Sequence, residues 1–598
     1  MRRGWNIVNA WSSFREAAGR LYRLEKRPVA VAAASLLLAV PIVPAELWLV
    51  KTIVDRVEAW TAPEPVGGIV AAAAALALLM AVGNIALGVP APMAMTRLIE
   101  IGSLEERRLL LDKTARLPLA SVESPAVQRL RERAGRVSLY DTFNAGLQLA
   151  QLTLRSALLL ALLLGYGQWL PAAAVCAAAA LHAAVSGRAS ERMERLAREQ
   201  TEDGRLLRHY ADLMTKRGAA AEVRLFGLGG TLAERWGALY GKLSRERWRA
   251  VRSAGLRKLG PDLLLASLAG PLLVAVVLQP GADRLTAGDF ALLLMALTLL
   301  MGQLPEWIAQ AAAMRALAMR WDDFRAYMAL EEAEGGPSPR TGPDAAPAAV
   351  GLQARGLRFR YPGAERDAID GVGLTIPPGC RAALVGENGS GKSTLVKLLT
   401  GLYAPDEGVV AWTDGEARRL AGAGEAGVSA VFQDFTRLCL TLRGNVVLGS
   451  AAMAAASAPA ERVDAALREA LRDAGSGLRD LDAQLGAAFG GIEPSGGEWQ
   501  KLATARALLR DAGFVFFDEP TAALDPVAEK EAFALFLRVT EGRSALLVTH
   551  RLGAAKLADV IYVLKDGKLI ESGTHDELLM RPGGEYGRMF RTQAAWYA

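Results

Sequence analysis

A glycine-rich stretch, Gly386-Glu-Asn-Gly-Ser-Gly-Lys-Ser-Thr394, lies between the apolar run 382–385 and a helical pattern over 395–399. In a strand, loop and helix of this kind, the backbone N–H groups around Gly386, Asn388, Gly389, Ser390 and Gly391 can face a phosphate at a helix N-terminus. Lys392 adds a positive charge at the β/γ oxygens, and the Ser393 hydroxyl can be offered to Mg²⁺. This is the chemistry of nucleoside triphosphate binding. Much later, Phe514-Val-Phe-Phe517 reads as a buried parallel strand that ends in Asp518-Glu519-Pro520. Ligands of open α/β sheets bind at that strand edge, so Asp518 can hold a metal shell and Glu519 can polarise an attacking water. Another apolar run, 545–548, ends in Thr549-His550. An imidazole there can contact a γ-phosphate and orient Glu519 or the water, although a lone histidine at a strand end serves as readily in a structural role.

Such groups must be carried by a largely parallel sheet, and the residues able to build one lie beyond the stretch 331–350. That stretch, EEAEGGPSPRTGPDAAPAAV, is rich in Pro, Gly and Ala without periodicity, and reads as a linker between domains at 1–330 and 351–598. The chain of 598 residues is too long for one core. At 52% hydrophobic and 22% charged, with mean hydropathy +0.19, it is more apolar than a soluble chain needs and far from a disordered one. The apolar excess sits in the first domain, in the stretches 29–50, 67–89, 146–164, 169–185, 261–278 and 290–307. Each is near the length a helix needs to cross a bilayer, which predicts six transmembrane helices.

Arginine is dense before residue 28, over 97–141 and over 188–258, while the alternate connections carry little positive charge. Both termini and the second domain are therefore expected on the cytoplasmic side. Topology thus accounts for the formal net charge of +6, and no nucleic-acid partner is expected. Cys176, Cys380 and Cys439 lack C-x-x-C spacing, which excludes a disulfide framework and a structural zinc site. Helical patterns over 96–117 and 190–214 extend the second and fourth spans below the membrane, with breaks expected at 118–125 and 216–220.

In chain order, the residues 386–394, Gln433 within Val431-Phe-Gln-Asp-Phe435, Ser495-Gly-Gly-Glu-Trp-Gln500, the residues 516–520, Ala523-Leu-Asp525 and His550 resemble an ATP-binding cassette. The pieces RLPLASVESPAV and AEVRLFGLG carry the resemblance more weakly into the first domain. The whole is similar to an exporter half-transporter: a polytopic six-helix membrane domain followed by an α/β P-loop domain with a helical subdomain. The resemblance implies ATP and Mg²⁺ as cofactors, a lipid bilayer as surroundings, and a second half-transporter as partner, with a homodimer ahead of a heterodimer. It implies Tyr361, in Phe359-Arg-Tyr-Pro, as the ring stacking on adenine, Lys392, Ser393 and Thr394 as the phosphate and magnesium group, and Gln433 as a metal-side sensor linked to the membrane domain. Asp518 would be the metal-side carboxylate, Glu519 the general base and His550 the switch. Ser495, Gly496, Gly497 and Glu498 would act on the partner's ATP, with Asp525 near the same dimer interface. The implied setting is a bacterial cytoplasmic (inner) membrane, and the implied mechanism is alternating access.

The segments VFQDFTRLCLTLRGNVVLG and SGGEWQKLATARAL look most like cassettes of exporters for ribosomally made modified peptides, so the expected cargo is a modified peptide. Lipid flipping or multidrug efflux is the alternative, and a non-transporting ATP-driven regulator of a membrane complex is an alternative of another class. Glu46 in the first span and Glu306 on the sixth are costly in lipid. Either they line a pathway for a cationic or polar cargo, or they sit at a headgroup boundary or pack against Arg. The chain departs from the family pattern at Pro494, where leucine is usual before Ser-Gly-Gly. The S-x-x-E spacing of Ser495 and Glu498 predicts Ser495 as a helix N-cap, with Pro494 outside the helix and its ring able to pack on Trp499.

Overall fold

Ala- and Leu-rich stretches with few turn-forming residues fold as long helices through the first half of the chain. The structure is a computed structural model that describes residues 7–60, 66–278, 285–332, 349–414, 416, 418–420, 422–454, 459–510, 512–519 and 534–594. It divides into two units, Met1–Leu117 with Val122–Glu331, and Pro118–Ser121 with Glu332–Ala598.

The first unit is helical. The stretches read as spans fall in helices Lys26–Glu58, Gly67–Gly88, Leu139–Gly165, Trp169–Glu199, Gly229–Leu278 and Ala287–Met328. Among the described residues, Lys26–Glu58, Leu139–Gly165 and Ala287–Met328 are long and apolar enough to cross a membrane, and Gly67–Gly83 and Trp169–Ala183 are shorter apolar segments. The stretch 261–278 forms the end of the 50-residue helix Gly229–Leu278, which carries Pro261 and Pro271 inside it. The run expected to continue from the second span below the membrane is broken at Val89. Pro90 has no N–H to donate and opens a new helix, Pro90–Arg116, from its first turn. Below the fourth span the helix pauses at Gln200 and resumes as Thr201–Thr215. Leu117 and Lys216 are extended, and each ends a helix in the neighbourhood of an expected break.

Several polar groups in these helices find partners on other helices. Lys51 pairs with Asp289 at 2.5 Å and donates to the Tyr166 hydroxyl at 3.1 Å, tying together three helices. Asp289 also completes a capping box with Thr286 at the start of Ala287–Met328. Along the antiparallel contact of Leu139–Gly165 with Ala287–Met328, Trp321 donates to Thr142 at 2.9 Å, Gln310 to Gln148 at 2.7 Å, and Trp307 to Thr153 at 2.8 Å.

The second unit holds two sheets. We number the strands β1 (Val350–Phe359), β2 (Ile369–Ile376), β3 (Arg381–Val385), β4 (Glu407–Asp414), β5 (Arg419–Leu420), β6 (Val428–Val431), β7 (Phe514–Asp518), β8 (Ser544–Val548), β9 (Val560–Lys565) and β10 (Lys568–Gly573). An antiparallel sheet has the order β2-β1-β4-β5, and a six-stranded sheet has the order β10-β9-β3-β8-β7-β6. The strands from β9 to β6 in that sheet are mutually parallel. They therefore end on one edge, which is what a ligand site of this type requires. The β7 and β8 side chains are buried throughout, matching their continuous apolar sequences. Phe514 and Phe516 of β7 meet Trp412 of β4 edge to face, at 5.3 and 6.4 Å, joining the two sheets in one core. A separate helical core gathers Leu442, Leu467, Leu471, Trp499 and Leu502.

Candidate functional site

The loop after β3 closes only because of its glycines. A Cβ on Gly386 would lie 2.2 Å from the Leu564 carbonyl oxygen, and one on Gly391, at φ +103°, would lie 2.6 Å from the Ala368 carbonyl oxygen. Helix Lys392–Leu399 starts directly after Gly391. Lys392 is 94% buried and its ammonium donates to the Gly386 carbonyl at 2.9 Å and the Glu387 carbonyl at 3.0 Å. Burial lowers its pKa, while the charges of Glu519 and Asp518 oppose that shift. The cation is thus held by the loop it serves.

Asp518 is the last residue of β7, paired in register with Val548 of β8. The chain then turns sharply: Glu519 has φ +49°, a costly conformation for a residue with a side chain, and its N–H bonds the Val548 carbonyl at 2.9 Å. This strand register brings Glu519 Oε1 to 3.4 Å from Nδ1 of His550. Burial, with the Glu519 carboxylate next to it, pushes Asp518 up to about 6 despite a hydrogen bond with Ser393 and the nearby Lys392. Its Oδ1 is buried without a hydrogen-bond partner. An orphaned carboxylate oxygen beside a serine hydroxyl suits a hard divalent cation, which binds through one or two carboxylates plus hydroxyl and phosphate oxygens. The residues present therefore fit Mg²⁺.

One cleft of about 810 Å³ is lined by Tyr361, Asn388, Gly389, Gly391, Lys392, Ser393, Thr394, Gln433, Glu519 and His550. Gly386 and Ser390 shape the loop behind it. Ser390 donates its N–H to Glu387 and accepts from Gly567, and its buried hydroxyl has no partner. The Tyr361 hydroxyl lies 3.0 Å from that of Thr394, and its ring is braced edge-on by Phe359 and Tyr403. The cleft also takes in Arg366, Asp367, Ala368, Asp566 and Gly567, which sequence reading missed. A signal for the last two was present: Asp-Gly between strand-like runs marks a tight hairpin, here the turn from β9 to β10.

The Ser495–Glu498 segment does not line this cleft. Ser495 N-caps helix Gly496–Leu509, accepting from the Glu498 N–H at 3.2 Å. The Glu498 carboxylate does not return to the cap. It accepts from the Gly477 N–H at 2.9 Å and from the Ser476 hydroxyl. Ser495 and Gly496 are exposed, and no atom would come within 4 Å of a Cβ added to Gly496. Pro494 and Trp499 are buried. Asp525 lies outside the described residues.

In the first unit, the half-buried Arg155 of Leu139–Gly165 feels the charges of both Glu46 and Glu306, and its Nε makes no hydrogen bond. Gln303, one helical turn before Glu306, is buried with its side-chain oxygen unpartnered. Sequence reading passed over Arg155, as it did the buried His182, whose Nε2 lies 3.0 Å from Asp262. In each case the partner belongs to another helix.

A parallel sheet that ends in a glycine loop, a carboxylate pair and a histidine around one cleft, on a chain that also carries long apolar helices, defines a P-loop nucleotide-binding domain fused to a multi-pass membrane domain. Residues 369–522 match the ABC transporter family. The chain is 30% identical over 536 residues to the ATP-dependent lipid A-core flippase of Xanthomonas oryzae pv. oryzae, covering 87% of each chain. It is 37% identical over 233 residues to the nisin transport ATP-binding protein of Lactococcus lactis, covering 38% of each chain, and 38% identical over 226 residues to the subtilin transport ATP-binding protein of Bacillus subtilis, covering 36% of that protein. The match thus spans well under half the length of those two relatives. Among solved structures, a bacterial Atm1-family ABC exporter with ATP bound superposes with TM-score 0.76 at 21% identity, over 95% of this chain and 98% of that one. The chain belongs to the ABC transporter family, with an apolar helical domain and the nucleotide-binding domain in one polypeptide.

Proposed function

We propose that two copies of this chain form an ATP-driven exporter that works by alternating access, with cassettes and termini on the cytoplasmic side of a bacterial inner membrane. The observation that carries the reading is the meeting of Lys392, Asp518, Glu519 and His550 at the ends of adjacent parallel strands. Lys392 and the loop N–H groups would hold the phosphates, with Thr394 beside them, and the Tyr361 ring would cover the adenine. Ser393, Gln433 and Asp518 would hold Mg²⁺, which when bound neutralises phosphate charge. Glu519 would take the proton of the attacking water, with His550 keeping that carboxylate aimed. The exposed, unobstructed Ser495 and Gly496 suit a role, shared with Gly497, on nucleotide held by the second copy. Glu498 would anchor that segment through Ser476 and Gly477. Asp525 is assigned to the same interface. ATP can close the pair only through its higher affinity for the closed state, so the binding free energy released when both signatures engage nucleotide is the source of the work.

The proposed cargo is a modified peptide, supported by the likeness to the nisin and subtilin transport proteins. Lipid flipping is a second reading, favoured by the match to the lipid A-core flippase, which extends over most of the chain. Glu46 and Glu306, with Arg155 between their fields, are proposed to line the cargo path, a net negative lining that favours cationic groups. The test is ATP-dependent uptake into inside-out proteoliposomes, with ATPase measured alongside. A cationic modified peptide that is accumulated and stimulates ATPase supports peptide export. Stimulation by lipopolysaccharide core lipid alone reverses the assignment. Turnover with neither cargo moved would favour an ATP-driven regulator.

A further inference from the structure

The C-terminal helix Glu585–Ala594 belongs to none of the sequence motifs, yet it touches both loops that frame the phosphate site. Near its start, Arg588 donates to Glu387 Oε1 at 2.7 Å, and Glu387 is a glycine-loop residue whose carbonyl also receives the Lys392 ammonium. Near its end, Gln593 grips the histidine loop twice. Its Nε2 donates to the His550 carbonyl at 3.0 Å, and its Oε1 accepts from the Leu552 N–H at 2.7 Å. The orientation of this amide follows from its partners, because only the NH₂ can donate to a carbonyl and only the oxygen can accept from an N–H.

On either side of His550 the loop is tied by its own backbone, the Thr549 N–H bonding the Leu384 carbonyl at 3.1 Å and the Arg551 N–H the Thr549 hydroxyl at 2.9 Å, while the His550 carbonyl is held by Gln593. Residues 549–551 belong to no helix or strand, and the helix that follows, Leu552–Ala555, has four residues and no side-chain cap. Its first N–H would be an unsatisfied helix-start donor were it not for Gln593. Apolar packing joins the two helices as well, since Leu552 and Ala555 share a core with Tyr586, and beside it a cavity of about 570 Å³ is lined by Glu387, His550, Arg588 and Gln593 among others. That core holds the segment after the loop, while the polar contacts to the His550 carbonyl and the Leu552 N–H come from Gln593. The Arg588 link is the weaker of the two anchors, since its partners are 53% and 61% exposed and screened by solvent.

We propose that Gln593 is a positioning residue for ATP hydrolysis: by bridging the His550 carbonyl and the Leu552 N–H, it fixes the backbone from which the imidazole reaches Glu519. The inference rests on the reading of His550 as the γ-phosphate switch. It makes the end of the chain part of the hydrolytic machinery and leaves nucleotide affinity to the cleft, which Gln593 does not line.

The experiment is steady-state ATPase of the full-length transporter in lipid nanodiscs over a range of ATP concentrations, for Gln593→Ala, Gln593→Glu, Thr592→Ala, His550→Ala and the double variant His550→Ala/Gln593→Ala. Loss of the bridge is expected to lower kcat about tenfold with KM for ATP changed by less than about twofold, the size of effect that one or two ordinary hydrogen bonds can produce. Gln593→Glu keeps the shape but cannot donate to the His550 carbonyl, so it should fall at least as far, and it serves as the test should Gln593→Ala fold poorly. Thr592→Ala, which removes a hydroxyl bonded only within its own helix, should match wild type. The double variant should be no slower than His550→Ala alone. Wild-type kcat in both Gln593 variants, a loss confined to KM, or losses that multiply in the double variant would overturn the proposal. Wild-type turnover in His550→Ala would overturn the switch reading itself, an outcome distinct from the first three.

Discussion

The cassette and the membrane unit both bring charged groups together, but by different means. In the cassette, the β7–β8 register pairs Asp518 with Val548, the next residue bonds back to Val548, and Glu519 meets His550 at 3.4 Å as a direct result. Backbone hydrogen bonds of a sheet set the distance, and the strain at Glu519 is held by them. In the membrane unit, Arg155, Glu46 and Glu306 come from three helices, and the orphaned Nε of Arg155 shows that no backbone ladder closes the group. Sheet register admits no small slip without turning every side chain over, whereas packed helices can shift by an ångström or two. The first arrangement suits chemistry with one geometry, and the second suits a path that must change shape.

That contrast predicts steep, local effects in the cassette. Glu519→Gln should retain ATP binding yet lower hydrolysis by roughly 10²- to 10⁴-fold, since an amide of the same shape cannot accept the proton of water. Near wild-type turnover of the purified variant would remove Glu519 from the role of base. Lys392→Ala should act on binding instead, raising the Kd for ATP about 10- to 100-fold, as measured by fluorescent-nucleotide displacement, because it removes charge-assisted hydrogen bonds to phosphate.

Effects in the membrane unit should be graded and confined to transport. Glu46→Gln with Glu306→Gln is expected to cut transport of a cationic cargo by roughly tenfold while basal ATPase stays within about twofold. Unchanged transport and unchanged cargo stimulation would end the pathway reading.

At one half-buried carboxyl of the first unit, removing the charge should stabilise the fold. Glu106, in the helix Pro90–Arg116, accepts from the Leu139 N–H, and burial pushes it up to about 7 from 4.5. The folded unit therefore holds this proton more tightly than the unfolded chain. The stability contributed by this group is greatest below about pH 4.5, falls as the pH rises from there to about 7, and stays low above that. Glu106→Gln keeps an oxygen for Leu139 and removes the charge, so it should stabilise the protein at pH 8 by about 2 kcal/mol. Thermal unfolding in detergent at pH 8 and pH 5 checks this, with the gain expected to shrink sharply at the lower pH. A gain equal at both values would mean that the carboxyl does not titrate in that window.

The smallest effect is expected at Pro494. Outside the helix that Ser495 caps, its missing N–H breaks no helical bond, so Pro494→Leu should change ATPase by less than about fivefold, on the order of 1 kcal/mol. A leucine variant tens of times faster would mean that the natural signature is impaired, and would favour a heterodimer whose partner supplies a better one.

Motifs whose geometry is local could be read from the amino-acid order. The glycines of 386–391 encode a turn that no side chain tolerates, the apolar runs encode buried parallel strands, and Ser495 with Glu498 three residues on encodes a helix start. In each, the residues that act are neighbours along the chain, so spacing is already geometry. Apolar length likewise marked the long helices, though not the break that Pro90 makes at Val89. Tertiary structure alone decided which distant groups meet. Glu498 turned from its own cap to Ser476 and Gly477, Gln593 reached the loop of His550, and Arg155 came within the fields of two carboxylates on other helices. Hydrophobic period tells which face of an element is buried, but not how far the element slides or what it faces, and those two quantities are fixed only when the elements dock.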